Sequence, residues 1–319
     1  MSSIAVIGAG AWGTALAIQA ARAGNQVTLW ARAPARAAAI AARRENPRLP
    51  GAPLPDSIHI TCDLPSAADL VLLAVPLQNL RGVVEQLAVT APLICCSKGI
   101  ETSTLRLPLE ILAELYPDHP TGILTGPNFA AEIAAGQPAA TVIATTQAGL
   151  RAQVADVLGT PGFRVYGNAD PIGAQVGGGA KNVIAIAAGA VIGAGLGENA
   201  RAGLVTRGLA ELSRLAVALG GRAETVMGLS GLGDLLLTCT SPASRNYSLG
   251  LALGHGEALA DILASRTAVT EGVATAPALI ARAGEVEMPI CRVVANLLAG
   301  RVDLKRAVAV LLSRRLRDE

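Results

Sequence analysis

The sequence predicts an α/β fold in two parts, a parallel sheet wound with helices over residues 1–169 and an all-helical domain over residues 170–319. Three observations predict it. Short apolar runs alternate with helical stretches through the first half, the spacing of parallel βαβ units. The first apolar run ends in a glycine-rich turn that opens a helix. After Asp170-Pro171 the texture becomes long helical pattern broken by Gly and Pro, without strand alternation.

The elements follow in order. SIAVIGAGAWGTALAIQAARAG (3–24) reads as a strand, a glycine turn and an amphipathic helix stopped by Gly24. QVTLW (26–30) is a second strand. Residues 34–57 carry five prolines and a basic cluster, which predicts a helix and then a surface loop. IHIT (58–61), LVLLAV (70–75) and PLICCS (92–97) are further strands, the middle one apolar throughout, as in a strand buried on both faces. GILT (122–125), TVIATT (141–146) and FRVYG (163–167) extend or flank the sheet. In the second half, Asn182 to Gly197 has no charge, yet is too short and glycine-rich to span a bilayer, so it is expected to be a buried helix.

Composition narrows the function. Half of the residues are hydrophobic but only 2% are aromatic, so the core must be aliphatic. A net charge of +2 with scattered acids and bases argues against a nucleic-acid face. The basic tail Ser313-Arg314-Arg315-Leu316-Arg317 reads as a solvated helix end. Cysteines 62, 95, 96, 239 and 291 show no Cys-x-x-Cys spacing, so neither a disulfide framework nor a metal site is expected. Cys95 and Cys96, adjacent on a strand, should face opposite sides of the sheet. Reduced cysteines and an N-terminus that reaches Gly8 without a basic leader predict a cytoplasmic protein.

Gly8-Ala9-Gly10-Ala11-Trp12-Gly13 matches G-x-G-x-x-G in the context that gives this pattern meaning: it ends a strand, opens a helix and precedes a second strand at βαβ distance. Gly8 permits the tight turn, Gly10 lets backbone approach a pyrophosphate, and Gly13 allows the helix to pack on the strand. The helix N-terminus supplies N–H groups and positive dipole to a Rossmann-type dinucleotide site. After the second strand, Trp30-Ala31-Arg32 offers no acid for a ribose 2′-hydroxyl. Arg32 instead suits a 2′-phosphate, favouring NADP(H) over NAD(H), or else is a solvated surface arginine. Trp12 either covers the pyrophosphate or fills core.

Only three of the 26 basic residues are lysines, Lys98, Lys181 and Lys305. In a chain that favours arginine, a retained lysine is a candidate for losing a proton, which arginine cannot do. Lys305 reads as a surface residue of the last helix. Lys98 follows a strand in Ser97-Lys98-Gly99. Lys181, in GGGAKN (177–182), is expected at the start of the buried helix, where the positive dipole end and low dielectric would depress its pKa; alternatively it snorkels to solvent. Two other segments gather polar groups. In GPNFAAE (126–132), Asn128 is placed to cap the following helix. In GLSGLGDLLLTCTSPASRNYSLG (228–250), Asp234 is either a helix cap or a site residue, while Ser244, Arg245 and Asn246 either cap and solvate a helix start or donate to a phosphate.

The set GAGAWGTALA, SKGI, GPNFAAE, AKN, GLGDLLLTC and SRN, in this order and over essentially the whole chain, resembles the bacterial glycerol-3-phosphate dehydrogenase [NAD(P)+] family. The resemblance implies an N-terminal Rossmann domain and a helical C-terminal domain like that of 6-phosphogluconate dehydrogenase. It implies reversible reduction of dihydroxyacetone phosphate by NAD(P)H to sn-glycerol 3-phosphate for phospholipid synthesis, in a homodimer. It also implies site roles. Lys181 is similar to the proton donor and acceptor, and Lys98 to a lysine touching both cofactor and substrate. Gly126, Asn128, Asp234, Ser244, Arg245 and Asn246 match substrate positions. Ala11, Trp12, Arg32, Ala130, Arg245, Val269 and Glu271 match cofactor positions beside Gly8, Gly10 and Gly13. The chain departs from the family at Ala11, often Ser, which offers only backbone; at Asn128, often Ser or Thr; and at Ala33, often polar. The 3-hydroxyacyl-CoA dehydrogenases, which share this two-domain plan, use a His–Glu pair, whereas His59, His119 and His255 lie in none of these motifs.

Overall fold

The computed structural model describes residues 1–266 and 269–313, and the predicted basic tail from Arg314 lies outside them. The chain runs β1 (Ser3–Ile7), α1 (Ala11–Arg22), β2 (Gln26–Trp30), α2 (Pro34–Arg43), β3 (Ile58–Thr61), β4 (Leu70–Leu73), α3 (Leu80–Val84), β5 (Leu93–Cys95), α4 (Pro108–Leu115), β6 (Thr121–Thr125), α5 (Ala130–Ala134), β7 (Ala139–Ala144), α6 (Ala148–Leu158) and β8 (Phe163–Asn168). Helices follow: α7 (Pro171–Gly193), α8 (Glu198–Ala218), α9 (Ala223–Val226), α10 (Asp234–Thr240), α11 (Arg245–Gly254), α12 (Leu259–Ala264), α13 (Glu271–Ala283), α14 (Pro289–Leu298) and α15 (Leu304–Leu312). Residues 1–98 and 107–175 form one compact unit, and residues 99–106 with 176 onward form the other. The division falls inside α7, a little beyond the change of texture.

In the first unit the eight strands are ordered β3-β2-β1-β4-β5-β6-β7-β8. The chain winds outward from β1 to β3, then returns to the other side of β1, so the order reverses between β1 and β4, where α/β sheets bind ligands. All neighbours are parallel except β6 and β7, a reversal the sequence reading did not contain. Its cause is length. The five residues of α5 rise only about 7 Å, too little to carry the chain back along a five-residue strand of roughly 16 Å. The core is aliphatic: Leu16 and Ile18 of α1 pack with Val6 and Leu29 of the sheet. β4 is buried along its whole length. Cys95 and Cys96 are both buried. The segment after α2 differs from the expected surface loop, because it buries Asn46, Leu49, Ala52 and Leu54. The last three join the core cluster, so apolar burial overrides the proline-rich composition.

The second unit is built on α7. This helix is long and apolar enough to cross a membrane, but 89% of its apolar window is buried by the fold. Its glycines set its neighbours. A Cβ on Gly189 would lie 2.0 Å from the Tyr247 carbonyl oxygen, and one on Gly250 of α11 would lie 1.9 Å from that of Ile186. Helices α7 and α11 therefore touch backbone to backbone, which fixes the start of α11 relative to the middle of α7. Lys305 is exposed on α15, as expected.

Glu211 ties α8 to α14. Its buried carboxylate accepts the N–H groups of Ile290 at 2.6 Å and Cys291 at 3.1 Å, donors that the helix start leaves over. Burial raises its pKa, and those two N–H groups oppose the rise. The folded protein thus binds this proton more tightly than the unfolded chain does. The contribution of Glu211 to stability is largest below the unfolded-state pKa and is lost as pH rises through the folded-state value. In urea unfolding from acid to neutral pH, the stability of the parent protein relative to Glu211→Gln is expected to decline as pH rises; a difference that grows with pH would contradict this.

Candidate active site

The first unit carries the glycine turn. Gly8 follows β1 with φ +115°, and a Cβ there would sit 2.7 Å from the Ala74 carbonyl oxygen just past β4. At Gly13 a Cβ would come within 1.9 Å of the Gly8 carbonyl oxygen. Those two glycines serve the tight turn and the packing of α1. Gly10 differs: a Cβ on it would meet no protein atom within 4 Å. Helix α1 starts at Ala11 with no acid in its first turn, and its first N–H groups have no carbonyl a turn behind them. Open space beside unused donors at a helix start suits an anionic group. Trp12 is half-buried with its ring against the core, and its Nε1 is buried without an acceptor among the described residues. Arg32 is exposed beyond the end of β2.

At the ends of β5 and β6 the unit brings together Lys98, Gly126 and Asn128. Lys98 is half-buried and donates from Nζ to the Gly126 carbonyl at 3.3 Å. Gly126 has φ +147° and lies against the backbone of Thr141. Asn128 does not cap α5, as the sequence reading expected. The N-cap is Phe129, without a side-chain bond, because the Asn128 amide turns to the β7 strand and donates to the Ala140 carbonyl at 2.9 Å. Its Oδ1 is buried and accepts nothing among the described residues. Ala130 opens α5 and packs on the core.

In the second unit Lys181 lies in the middle of α7, which corrects the expectation of a helix start. Its glycines are packing positions. A Cβ at Gly177 would fall 2.6 Å from the Ser230 carbonyl oxygen, and one at Gly179 would fall 3.1 Å from the Gly99 nitrogen. The positive dipole end of α7 is therefore remote, and a different group governs this lysine. Lys181 is 7% exposed and its ammonium is paired with the Asp234 carboxylate, itself 1% exposed at the first turn of α10. Nζ also donates to Thr238 Oγ1 at 2.9 Å, and that hydroxyl donates to the Asp234 carbonyl at 2.6 Å. Lys181 does not snorkel. The carboxylate favours its protonated form. Cys239, the next residue on α10, has its thiol pushed up to about 12, chiefly by burial, and stays protonated beside this pair.

The remaining predicted residues gather at the starts of α11 and α13. Ser244 is the N-cap of α11, its Oγ accepting the Tyr247 N–H at 3.2 Å. Arg245 donates to the Val269 carbonyl at 2.8 Å. Asn246 donates to Asn182 Oδ1 at 2.9 Å and accepts the Gly272 N–H at 3.0 Å, next to Glu271 at the head of α13. One amide hydrogen of Asn246 is left for other partners. Sequence reasoning missed Asn182, Thr238 and Arg266, the last donating to the Arg245 carbonyl at 2.7 Å and to Ser248 Oγ at 3.1 Å. Thr238 had a signal, since it lies four residues after Asp234 and so on the same helical face.

Comparison with known proteins decides the family. Residues 3–150 match the profile of the NAD-dependent glycerol-3-phosphate dehydrogenase N-terminus, and residues 170–309 match that of its C-terminus. The chain belongs to the glycerol-3-phosphate dehydrogenase family. It is 52% identical to the glycerol-3-phosphate dehydrogenase [NAD(P)+] of Gluconobacter oxydans, over 98% of this chain and 97% of the relative. It is 56% identical to that of Acidiphilium cryptum, over 99% and 98%. The crystal structure of glycerol-3-phosphate dehydrogenase from Coxiella burnetii superimposes with a TM-score of 0.94 at 36% identity, covering 98% of this chain and 99% of that one. As a member of the glycerol-3-phosphate dehydrogenases, the chain is an oxidoreductase with a Rossmann-type first domain and a helical second one.

Proposed function

We propose that this chain catalyses the reversible reduction of dihydroxyacetone phosphate to sn-glycerol 3-phosphate with NADPH or NADH. The observation that carries the chemistry is the buried Lys181–Asp234 pair with Thr238. The glycine turn fits a dinucleotide through the open side of Gly10 and the acid-free first turn of α1. Gly8, Gly10, Ala11, Trp12 and Gly13 would hold the pyrophosphate end, and Arg32, exposed past β2, a 2′-phosphate; Lys98, Ala130, Arg245, Val269 and Glu271 complete the cofactor set that the resemblance implies. A dinucleotide held there would supply, or take back, the hydride at C2 of the substrate.

The protein's part is to move a proton and to hold charge. Lys181, kept protonated by Asp234, donates its proton to the C2 oxygen as the carbonyl becomes an alcohol, and takes it back in the reverse direction. Thr238 fixes the Lys181 rotamer. Lys98 stabilises negative charge growing on the oxygen. Ser244, Arg245 and the free amide hydrogen of Asn246 hold the phosphate, while Asn128 and Gly126 contact the rest of the substrate. The enzyme works in the cytoplasm as a homodimer, with a small phosphate ester rather than a nucleic acid as its ligand; cysteine spacing without a disulfide framework, scattered charge and the family resemblance support this.

The purified protein, given NADPH and dihydroxyacetone phosphate, is expected to consume the absorbance of the reduced nicotinamide and yield sn-glycerol 3-phosphate. Oxidation with a keto acid or acyl thioester, but none with the ketose phosphate, would overturn the assignment.

A further inference from the structure

The Gly8-Ala9-Gly10 turn is held by side chains from beyond α2. Asn46 is completely buried. Its Nδ2 donates to the Ala9 carbonyl at 3.0 Å and to Thr14 Oγ1 at 2.6 Å. Its Oδ1 accepts the Arg48 backbone N–H at 3.1 Å and the Arg36 guanidinium at 3.3 Å. Both amide hydrogens and both lone pairs of the side chain are thereby used. Arg36 also donates to the Ala9 carbonyl, and Thr14 Oγ1 passes its own hydrogen to the Gly10 carbonyl at 2.7 Å. The two carbonyls at the middle of the turn are thus captured from the protein side.

That capture has a geometric result. The peptides here are trans, and in a planar trans peptide the carbonyl and the following N–H point in opposite directions. Pinning the carbonyls of Ala9 and Gly10 aims the N–H groups of Gly10 and Ala11 away from the clamp, as donors to an anion. Released, the Ala9 carbonyl would be free to turn its negative end toward that anion. The clamp also carries positive charge at the turn. Arg36 lies in the first turn of α2, which holds no acid, and both its burial and the charge of Arg48 lower its pKa. An anion at the turn would relieve a cationic arrangement that folding alone disfavours.

We infer that Asn46, acting with Thr14 and Arg36, is a positioning residue for the dinucleotide: it sets the peptide planes whose N–H groups bind the pyrophosphate, without touching the cofactor itself. This rests on the dinucleotide reading proposed above. Because the pyrophosphate is common to both cofactors, loss of the clamp weakens NADPH and NADH alike.

The test titrates NADPH and NADH against the full-length protein, reading quenching of the fluorescence of Trp12 and Trp30, well below the melting temperature of each variant. Asn46→Ala and Thr14→Val are each expected to raise Kd for both dinucleotides about tenfold, the size of one or two lost hydrogen bonds. Thr14→Ser, which restores the hydroxyl, is expected to return Kd to the parent value. KM for dihydroxyacetone phosphate at saturating cofactor should not move. A lower melting temperature with unchanged Kd would make the clamp purely structural and overturn the inference. So would a loss confined to NADPH, which would mark a direct contact to the 2′-phosphate. A parent protein that binds neither dinucleotide would instead overturn the proposed function, so the two failures are distinguishable.

Discussion

Lys181→Arg is expected to lower kcat by about 10²–10⁴-fold, the range for removing a general acid, while the Kd for NADPH stays at the parent value. The substitution keeps the positive charge, so it tests proton transfer rather than electrostatics. A guanidinium does not release its proton near neutral pH, and so cannot alternate between donor and acceptor at the C2 oxygen. Its planar fork must also fit where Nζ now meets Asp234 and Thr238, in a pocket where Lys181 is 7% exposed. Lys181→Met, which keeps approximate length without charge, separates the two effects. Both variants should lose turnover, and circular dichroism with NADPH titration shows whether each remains folded. Near-normal turnover in the arginine variant would remove Lys181 from the acid–base role.

Much of the site was legible because certain residue types are restricted by physics. All eight strands coincide with apolar runs in the sequence, and the glycine turn falls where strand and helix patterns meet. Lysine scarcity singled out Lys181 without any structural information. Its environment was not legible. GGG before the lysine reads as a helix start because glycine disfavours helix interiors. Yet Gly177 and Gly179 sit inside α7, where neighbouring backbone leaves no room for a Cβ at Gly177 and only a tight fit at Gly179. That requirement comes from packing partners distant in sequence, which periodicity does not encode. The same holds for β7, whose direction depends on how short α5 is. It holds for Asn46, whose value comes from reaching a turn that precedes it by more than thirty residues. Asn246 reads as a candidate phosphate ligand from its neighbours Ser244 and Arg245, but its bonds to Asn182 and Gly272 belong to a tertiary network invisible in the local pattern.

Asp234 is where stability and chemistry are most closely joined. Asp234→Ala is expected to destabilise the protein by about 3–5 kcal/mol, because it removes the carboxylate that neutralises a buried ammonium. Thermal unfolding would show this as a clear drop in Tm, larger than that of Asp234→Asn, which keeps the shape and one acceptor. The catalytic consequence follows from the same electrostatics. Reduction of the ketone needs Lys181 protonated, and the carboxylate favours that form. In Asp234→Asn the buried ammonium gives up its proton more readily. The pH above which ketone reduction declines should therefore move down relative to the parent enzyme, with activity partly recovered in acid. An effect on folding alone would scale the whole pH–rate profile without shifting it. If Asp234→Asn kept the parent profile, the carboxylate would not be what holds the proton on Lys181; if Asp234→Ala kept the parent Tm, the pair would contribute nothing to the fold. Because the two readouts are independent, a shifted profile in a protein that still unfolds cooperatively would tie the proton balance of the reaction to this one buried contact between α7 and α10.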